Sequence, residues 1–250
     1  MEPILQVKDL THTYGTGTPF QRSAVEHMSF DVNEGEFLGI IGHTGSGKST
    51  LIQHLNGLLQ PTAGEILLRG KNIWAEPKKI REVRFKVGLV FQYPEYQLFE
   101  ETVYKDIAFG PANQGKNGDE LDHAVREAAK LVGIRDDQLE KSPFELSGGQ
   151  KRRVAIAGVI AMEPSVLILD EPTAGLDPNE RIRFRNLISE LSEERLVLLS
   201  THIVSDVEYI ANEIWLMKDG RLLRRGTAQS LIDSMTENVW KCFTDRSDVS

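Results

Sequence analysis

The sequence contains a single cysteine, Cys242, so no disulfide can form within the chain, and a reducing compartment is expected. Apolar runs are short, and none approaches the roughly 20 residues that a bilayer-crossing helix needs. The opening stretch, Met1-Glu2-Pro3-Ile4-Leu5-Gln6, lacks the basic region and apolar block of a secretion signal. Basic residues are also in deficit, with 29 Lys and Arg against 37 Asp and Glu and a net charge of −8, which speaks against a general nucleic-acid surface. The local clusters Lys78, Lys79, Arg81, Arg84, Lys86 and Lys151, Arg152, Arg153 read as solvated helix faces. There is no internal repeat and no low-complexity segment. A cytosolic chain is the expectation, with any membrane role reached through a partner.

What is present is ordinary for a folded domain: 250 residues, 40% hydrophobic and 26% charged, enough for one large α/β domain or two modest ones. Residues 4–8, 25–32, 63–70 and 86–91 cluster or alternate apolar and β-branched side chains as strands do. Between about 101 and 158 the pattern becomes helical, and residues 120–131 carry Leu121, Val125 and Ala128 on one face. Apolar strand patterns return at 166–169, 196–199 and 214–217, alternating with helical segments around 180–191 and 203–212. Continuous apolar runs between helices indicate buried parallel strands. The organisation is an α/β core with a helical insertion.

The chemistry begins at Gly42-His43-Thr44-Gly45-Ser46-Gly47-Lys48-Ser49-Thr50, which lies between a strand pattern and a helix pattern. Glycines there let backbone N–H groups converge on phosphates, and the following helix N-terminus adds its orphan donors. Lys48 sets a cation against the β- and γ-phosphates of a nucleoside triphosphate, and the Ser49 hydroxyl suits Mg²⁺. His43 is a spacer. The apolar strand Val166-Leu167-Ile168-Leu169 ends in Asp170-Glu171. Two adjacent carboxylates at a buried strand end require a cation or a proton as partner. Asp170 suits the Mg²⁺ shell, and Glu171 suits the orientation and deprotonation of an attacking water. A third string, Leu146-Ser147-Gly148-Gly149-Gln150, opens a helix. Ser147 is a good N-cap, but two glycines in a first turn cost stability and need a reason beyond capping.

With these three strings the chain resembles the ATPase subunits of ABC transporters, from Leu5 to about Thr227. The resemblance implies a P-loop NTPase α/β core with an antiparallel β subdomain and a helical insertion at about 95–162. The whole forms one domain over 1–235, with a short tail at 236–250. It implies ATP and Mg²⁺ as ligands, and a second ATPase subunit, homologous or identical, as partner. Ser147, Gly148, Gly149 and Gln150 are then expected to meet the γ-phosphate held by the partner's phosphate loop. Gln92 matches a glutamine that contacts Mg²⁺ and water and senses the membrane subunit. Asp177, in Ala174-Gly175-Leu176-Asp177, belongs to the segment crossing the dimer interface. His202 matches a histidine that touches the γ-phosphate, and Tyr14 an aromatic that stacks on adenine. The expected catalytic set is Glu171, His202, Lys48 and Gln92, with Ser49, Gln92 and Asp170 on the metal.

Residues 91–103 (Phe91-Gln92-Tyr93-Pro94-Glu95-Tyr96-Gln97-Leu98-Phe99-Glu100-Glu101-Thr102-Val103) are similar to the energy-coupling factor importers, which take up vitamins and transition-metal ions. The phosphate loop and Ile107-Ala108-Phe109-Gly110-Pro111 are similar to the second of that group's two paired ATPases. Tyr93, Tyr96, Leu98 and Phe99 are expected to form an apolar ledge after Gln92, where a transmembrane subunit docks a helix. From about Asn179 the strings look more like exporter-type ATPases, notably 199–210 and 215–220, so the sequence reads as a hybrid, natural or engineered, joined near Pro178. The alternative function is therefore an exporter ATPase. A DNA-maintenance ATPase is disfavoured because no long heptad run separates the phosphate loop from the Leu146–Gln150 string, the signature of the resembling family. A translation factor with two cassettes is disfavoured because there is one phosphate loop. The expected location is the cytoplasmic face of the membrane, held through partner subunits, with no nucleic-acid partner.

Overall fold

The computed structural model describes residues 3–193 and 195–234. The chain runs β1 (Leu5–Tyr14), β2 (Arg22–Val32), β3 (Phe37–Ile41), α1 (Lys48–Leu55), β4 (Ala63–Leu68), β5 (Lys71–Asn72), α2 (Ile80–Lys86) and β6 (Val87–Val90). A helical stretch follows: α3 (Val103–Gln114), α4 (Gly118–Leu131), α5 (Asp136–Leu139) and α6 (Gly148–Ile160). Then come β7 (Val166–Asp170), α7 (Pro178–Leu191), β8 (Leu196–Thr201), β9 (Glu213–Lys218), β10 (Arg221–Gly226) and α8 (Ala228–Asp233). The strand-like patch Val239-Trp240-Lys241-Cys242-Phe243 and the rest of the 236–250 tail lie outside the described residues.

Two sheets form. One is four-stranded in the order β2-β1-β4-β5 and antiparallel throughout. The other is six-stranded in the order β10-β9-β3-β8-β7-β6, with β9, β3, β8, β7 and β6 parallel and β10 antiparallel on the edge. The period-two geometry of a strand decides what each apolar residue does. Val166, Ile168, Leu196, Leu198, Leu38 and Ile40 point to the face covered by the antiparallel sheet and α1. Leu167, Leu169, Val197, Leu199 and Phe37 point to the opposite face, covered by α3, α4, α6 and α7. Every residue of β7 and β8 is buried, which is why these strands read as unbroken apolar runs.

Several sequence expectations change here. Residues 203–212 are not a helix: Val204–Asp206 forms one 3-10 turn, followed by further turns. Asp206 is drawn fully inward, where its Oδ2 accepts from Thr173 Oγ1 at 2.5 Å and Thr201 Oγ1 at 3.2 Å. That tertiary demand overrides the helical spacing. Strand β10 has no counterpart in the sequence reading because Arg221, Arg224 and Arg225 make it a polar, exposed edge. Arg152 is not on a solvated face but is buried at 4% exposure, unlike Lys78, Lys79, Arg81 and Lys86, which are exposed. Leu98 also leaves the expected ledge, being 9% exposed and part of the core under the helices.

Candidate active site

The phosphate loop leaves β3 at Ile41 and enters α1 at Lys48. Its shape depends on glycine: Gly45 and Gly47 have φ of 83° and 98°, and a Cβ on Gly47 would strike the Ala24 carbonyl. Gly47 stands at the N-cap of α1 and offers no side-chain cap, so the donors of the first turn are left for a ligand. The hydroxyl of Ser46 is buried without a hydrogen-bond partner. Lys48 is buried too, with its ammonium donating to Gly42 O at 2.7 Å and His43 O at 3.3 Å and lying 3.4 Å from Glu171 Oε1. His43 turns aside, with its ring Nδ1 against the carbonyl of Thr44 at 2.8 Å.

The carboxylates arrive on the neighbouring strands. Asp170 ends β7, and its Oδ1 accepts the Ser200 hydroxyl of β8 at 2.5 Å. Glu171 follows in the left-handed region at φ 47°, an uncommon conformation for a non-glycine residue. It is fixed there because its N–H donates to Ser200 O at 3.0 Å while Ala174 N–H donates back to Glu171 O at 3.1 Å. His202, just past β8, places Nδ1 2.6 Å from Glu171 Oε2. One carboxylate thus contacts an ammonium on one oxygen and an imidazole on the other.

These groups open into a cleft of about 740 Å³ lined by Tyr14, Thr44, Gly45, Gly47, Lys48, Ser49, Thr50, Gln92, Glu171 and His202. Asp170 (6% exposed), Gly42, His43 and Ser46 are not among its lining residues. Tyr14 is half-exposed, with its hydroxyl 3.4 Å from Thr50 Oγ1 and its ring edge-on to His12 at 4.5 Å. His12 in turn meets the buried His54, Nδ1 to Nε2, at 3.1 Å, and His54 Nδ1 donates to the Thr50 carbonyl at 2.7 Å. Burial pushes His54 down to about 4 and lowers His12 as well, so both rings under α1 are neutral near pH 7.

Ser147, Gly148, Gly149, Gln150 and Asp177 are not brought into this cleft. Ser147 and Gln150 form a reciprocal capping box at the start of α6, with Ser147 N–H to Gln150 Oε1 at 2.9 Å and Gln150 N–H to Ser147 Oγ at 3.3 Å. A Cβ on Gly149 would run into the Glu180 carboxylate, whereas one on Gly148 would meet open space. Asp177 caps α7 through Asn179 N–H at 2.9 Å and Glu180 N–H at 2.8 Å. Ser147, Gln150, Gly149 and Asp177 therefore each have a role in the lone chain, while nothing among the described residues requires a glycine at 148.

The chain belongs to the ABC transporter ATPase family.

Residues 25–174 match the family described as ABC transporter. The chain is 51% identical over 234 residues to the energy-coupling factor transporter ATP-binding protein EcfA2 of Clostridium acetobutylicum, covering 92% of this chain and 82% of that one. It is 52% identical over 231 residues to the EcfA2 of Clostridioides difficile, covering 91% and 80%. Among solved structures, cbiO1 from Clostridium perfringens, part of the ABC transporter complex cbiONQ, superposes with a TM-score of 0.84 at 38% identity, over 94% of this chain and 92% of that one. The dimeric ABC transporter cassette MJ0796 gives a TM-score of 0.80 at 28% identity over 90% and 98%, and a second MJ0796 structure holds ADP and Pi. Matches over nine-tenths of the chain run past Pro178, so the EcfA2 likeness of this ABC ATPase does not stop at the join expected from its exporter-like strings.

Sequence reasoning missed part of the cleft wall: Gln21, Arg22, Ser23, Ala24, Glu26, Asp219 and Gly220. The usable signal was Asp219-Gly220, a dipeptide that favours a tight hairpin turn. In this ABC ATPase it turns β9 into β10, and Gly220 N–H donates to the Ser46 carbonyl at 3.0 Å, which buttresses the phosphate loop. The composition of the apolar ledge expected after Gln92 also changes. Tyr93, Tyr96 and Phe99 are exposed at 41%, 84% and 59%, and Phe109 joins them edge-on to Phe99 at 5.0 Å.

Proposed function

We propose that the chain is the ATP-hydrolysing subunit of an energy-coupling factor importer of vitamins or transition-metal ions. It works as the second of two paired ATPases and sits on the cytoplasmic face of the membrane through its partners. The observation that carries this is the division of labour in the site. One cleft gathers Lys48, Ser49, Gln92, Glu171 and His202, while the Ser147–Gln150 turn lies outside it. The identities near one-half to EcfA2 proteins support the choice of importer type.

The chemistry follows from the cleft. ATP phosphates fit the uncapped start of α1 and compete with Gly42 and His43 carbonyls for the Lys48 ammonium. Tyr14 offers the adenine a face. Glu171 orients water and takes its proton, and the 2.6 Å contact to His202 holds that carboxylate toward the γ-phosphate position. Mg²⁺ needs only one or two protein oxygens beside substrate phosphates and water. Ser49, Asp170 and Gln92 would supply them, and the ion would neutralise phosphate charge when bound. The partner ATPase's signature turn closes the site over the γ-phosphate, and hydrolysis removes those contacts and lets the pair open. The transmembrane subunit docks on the ledge from Gln92 to Phe99.

The test is a pull-down from detergent-solubilised membranes, followed by ATPase assays with and without the captured subunits. A second ATPase and a transmembrane subunit that together raise turnover are expected. Stimulation by DNA or ribosomes instead would sink the reading. The exporter-like wording at 199–210 favours one alternative, an exporter ATPase, and the identity of the captured transmembrane subunit separates the two.

A further inference from the structure

The guanidinium of Arg152 lies one turn into α6, five residues after Ser147, and is almost wholly buried. Four of its N–H directions are used, and they lead to two different places. Nε and Nη2 form a fork on Glu95, at 3.0 Å to Oε2 and 2.8 Å to Oε1. Nη1 donates to the carbonyls of Pro172 at 3.0 Å and Ala174 at 2.9 Å. Glu95 belongs to the 3-10 turn Pro94–Gln97, which carries the exposed ring of Tyr96, and the Arg152 guanidinium stands 5.9 Å over the ring of Tyr93. Pro172 and Ala174 belong to the turn that Ala174 N–H closes on the Glu171 carbonyl.

We infer that Arg152 is a positioning residue that clamps the docking ledge, the signature helix and the Glu171 turn into one body. It touches no part of the nucleotide cleft. Glu171 depends on such a clamp, because its left-handed backbone persists only where its surroundings hold it. A displacement of the Pro94–Gln97 turn is carried by the Glu95 fork to Arg152, and from there to the two carbonyls just behind the hydrolytic carboxylate. Arginine is required for this geometry. Its planar fork spans a carboxylate on one edge and two carbonyls on the other, whereas lysine offers one point charge. A buried ion pair is weak evidence for stability as such, so a role in fixing the arrangement is the better account.

The inference rests on the ATPase reading above, and the test keeps the two apart. The chain, assembled with the subunits that co-purify with it, is compared as wild type, Arg152→Lys, Glu95→Gln and the double variant. Turnover at saturating ATP, KM for ATP and the stoichiometry of bound ATP are measured. Arg152→Lys and Glu95→Gln are each expected to lower kcat at least about tenfold, as small misplacements of catalytic groups do. KM should stay within about twofold and ATP stoichiometry at the wild-type value. The double variant should be no slower than the slower single one, because both changes cut one linkage. Wild-type kcat in both single variants, or losses that multiply, overturns the clamp. So does a loss matched by lost ATP binding, which marks simple misfolding. If Arg152→Lys is insoluble, the near-isosteric Glu95→Gln decides alone. A wild-type complex without ATPase activity, or Glu171→Gln with full turnover, removes the ATPase reading and the clamp with it. Full turnover in the clamp variants beside an inactive Glu171→Gln removes the clamp only.

Discussion

The molecule contains two glycine-bearing helix starts, and they are built differently. At α1 the N-cap is Gly47 and no side chain caps the helix, while Lys48, Glu171 and His202 converge in front of it. At α6 the start is already satisfied by the Ser147–Gln150 capping box, Gly149 is backed by Glu180, and Gly148 faces open space. Both are anion sites in principle, because any helix N-terminus presents orphan donors. Only the first is faced by Lys48, Glu171 and His202 of this chain; the second is already satisfied by its own capping box, the contrast on which the proposed shared site rests.

The widest separation between the two should come from Glu171→Gln. ATP binding is expected to be unchanged, and turnover to fall by roughly 10²–10⁴-fold, the usual worth of a positioned acid or base. Turnover kept within a few-fold would leave the first helix start without its hydrolytic group. Next in size is Gly148→Asp. It should leave ATP binding by the isolated chain untouched, since nothing lies within 4 Å of its new Cβ, yet reduce hydrolysis in the assembled pair by about 10²-fold. A binding defect measured by equilibrium dialysis in the isolated chain would erase the distinction between the two starts.

Acid provides a third probe, confined to the α1 side. The folded-state value of His54 lies near 4, below its ordinary 6.5. The unfolded chain therefore takes up the proton first as pH falls. Stability is complete above about pH 6.5 and lost toward pH 4, by an amount on the order of 3 kcal/mol. Hydrogen exchange at pH 5 should expose α1 amides before those of α6, and equal loss in both would count against a local cause. The smallest effect is expected from Ser147→Ala, which removes one cap and costs about 1 kcal/mol in a melt. A much larger shift would mean that the α6 start is less self-sufficient than its capping box suggests.

The legible parts of the site were those written in contiguous residues. The phosphate loop, Asp170-Glu171 and the Ser147 cap each depend on neighbours in the chain, so strand–loop–helix order was enough to read them. The parallel core was legible because strands buried on both faces lose their alternation. What escaped depends on distant partners. Arg152 reads as a surface charge in a basic triplet, and only Glu95, 57 positions earlier, makes it an interior residue. Residues 203–212 carry a helix-compatible pattern that Thr173 and Thr201 defeat by pulling Asp206 inward. Leu98 sits among ledge residues in sequence, but the helical layer claims it.

The order of the six-stranded sheet also sets a schedule for synthesis. Strand β8 lies between β3 and β7, so the strand carrying the phosphate loop and the strand carrying Asp170 join one sheet only through β8. About 160 residues separate the end of β3 from the end of β8. At translation rates of roughly 5–20 residues per second, a phosphate loop leaving the ribosome waits about ten to thirty seconds for the strand that delivers His202. During that interval β3 lacks both of its sheet neighbours, β8 and β9, and the loop lacks the Gly220 N–H that buttresses Ser46. The cleft of this chain can close around a nucleotide only once that late-made strand is in place.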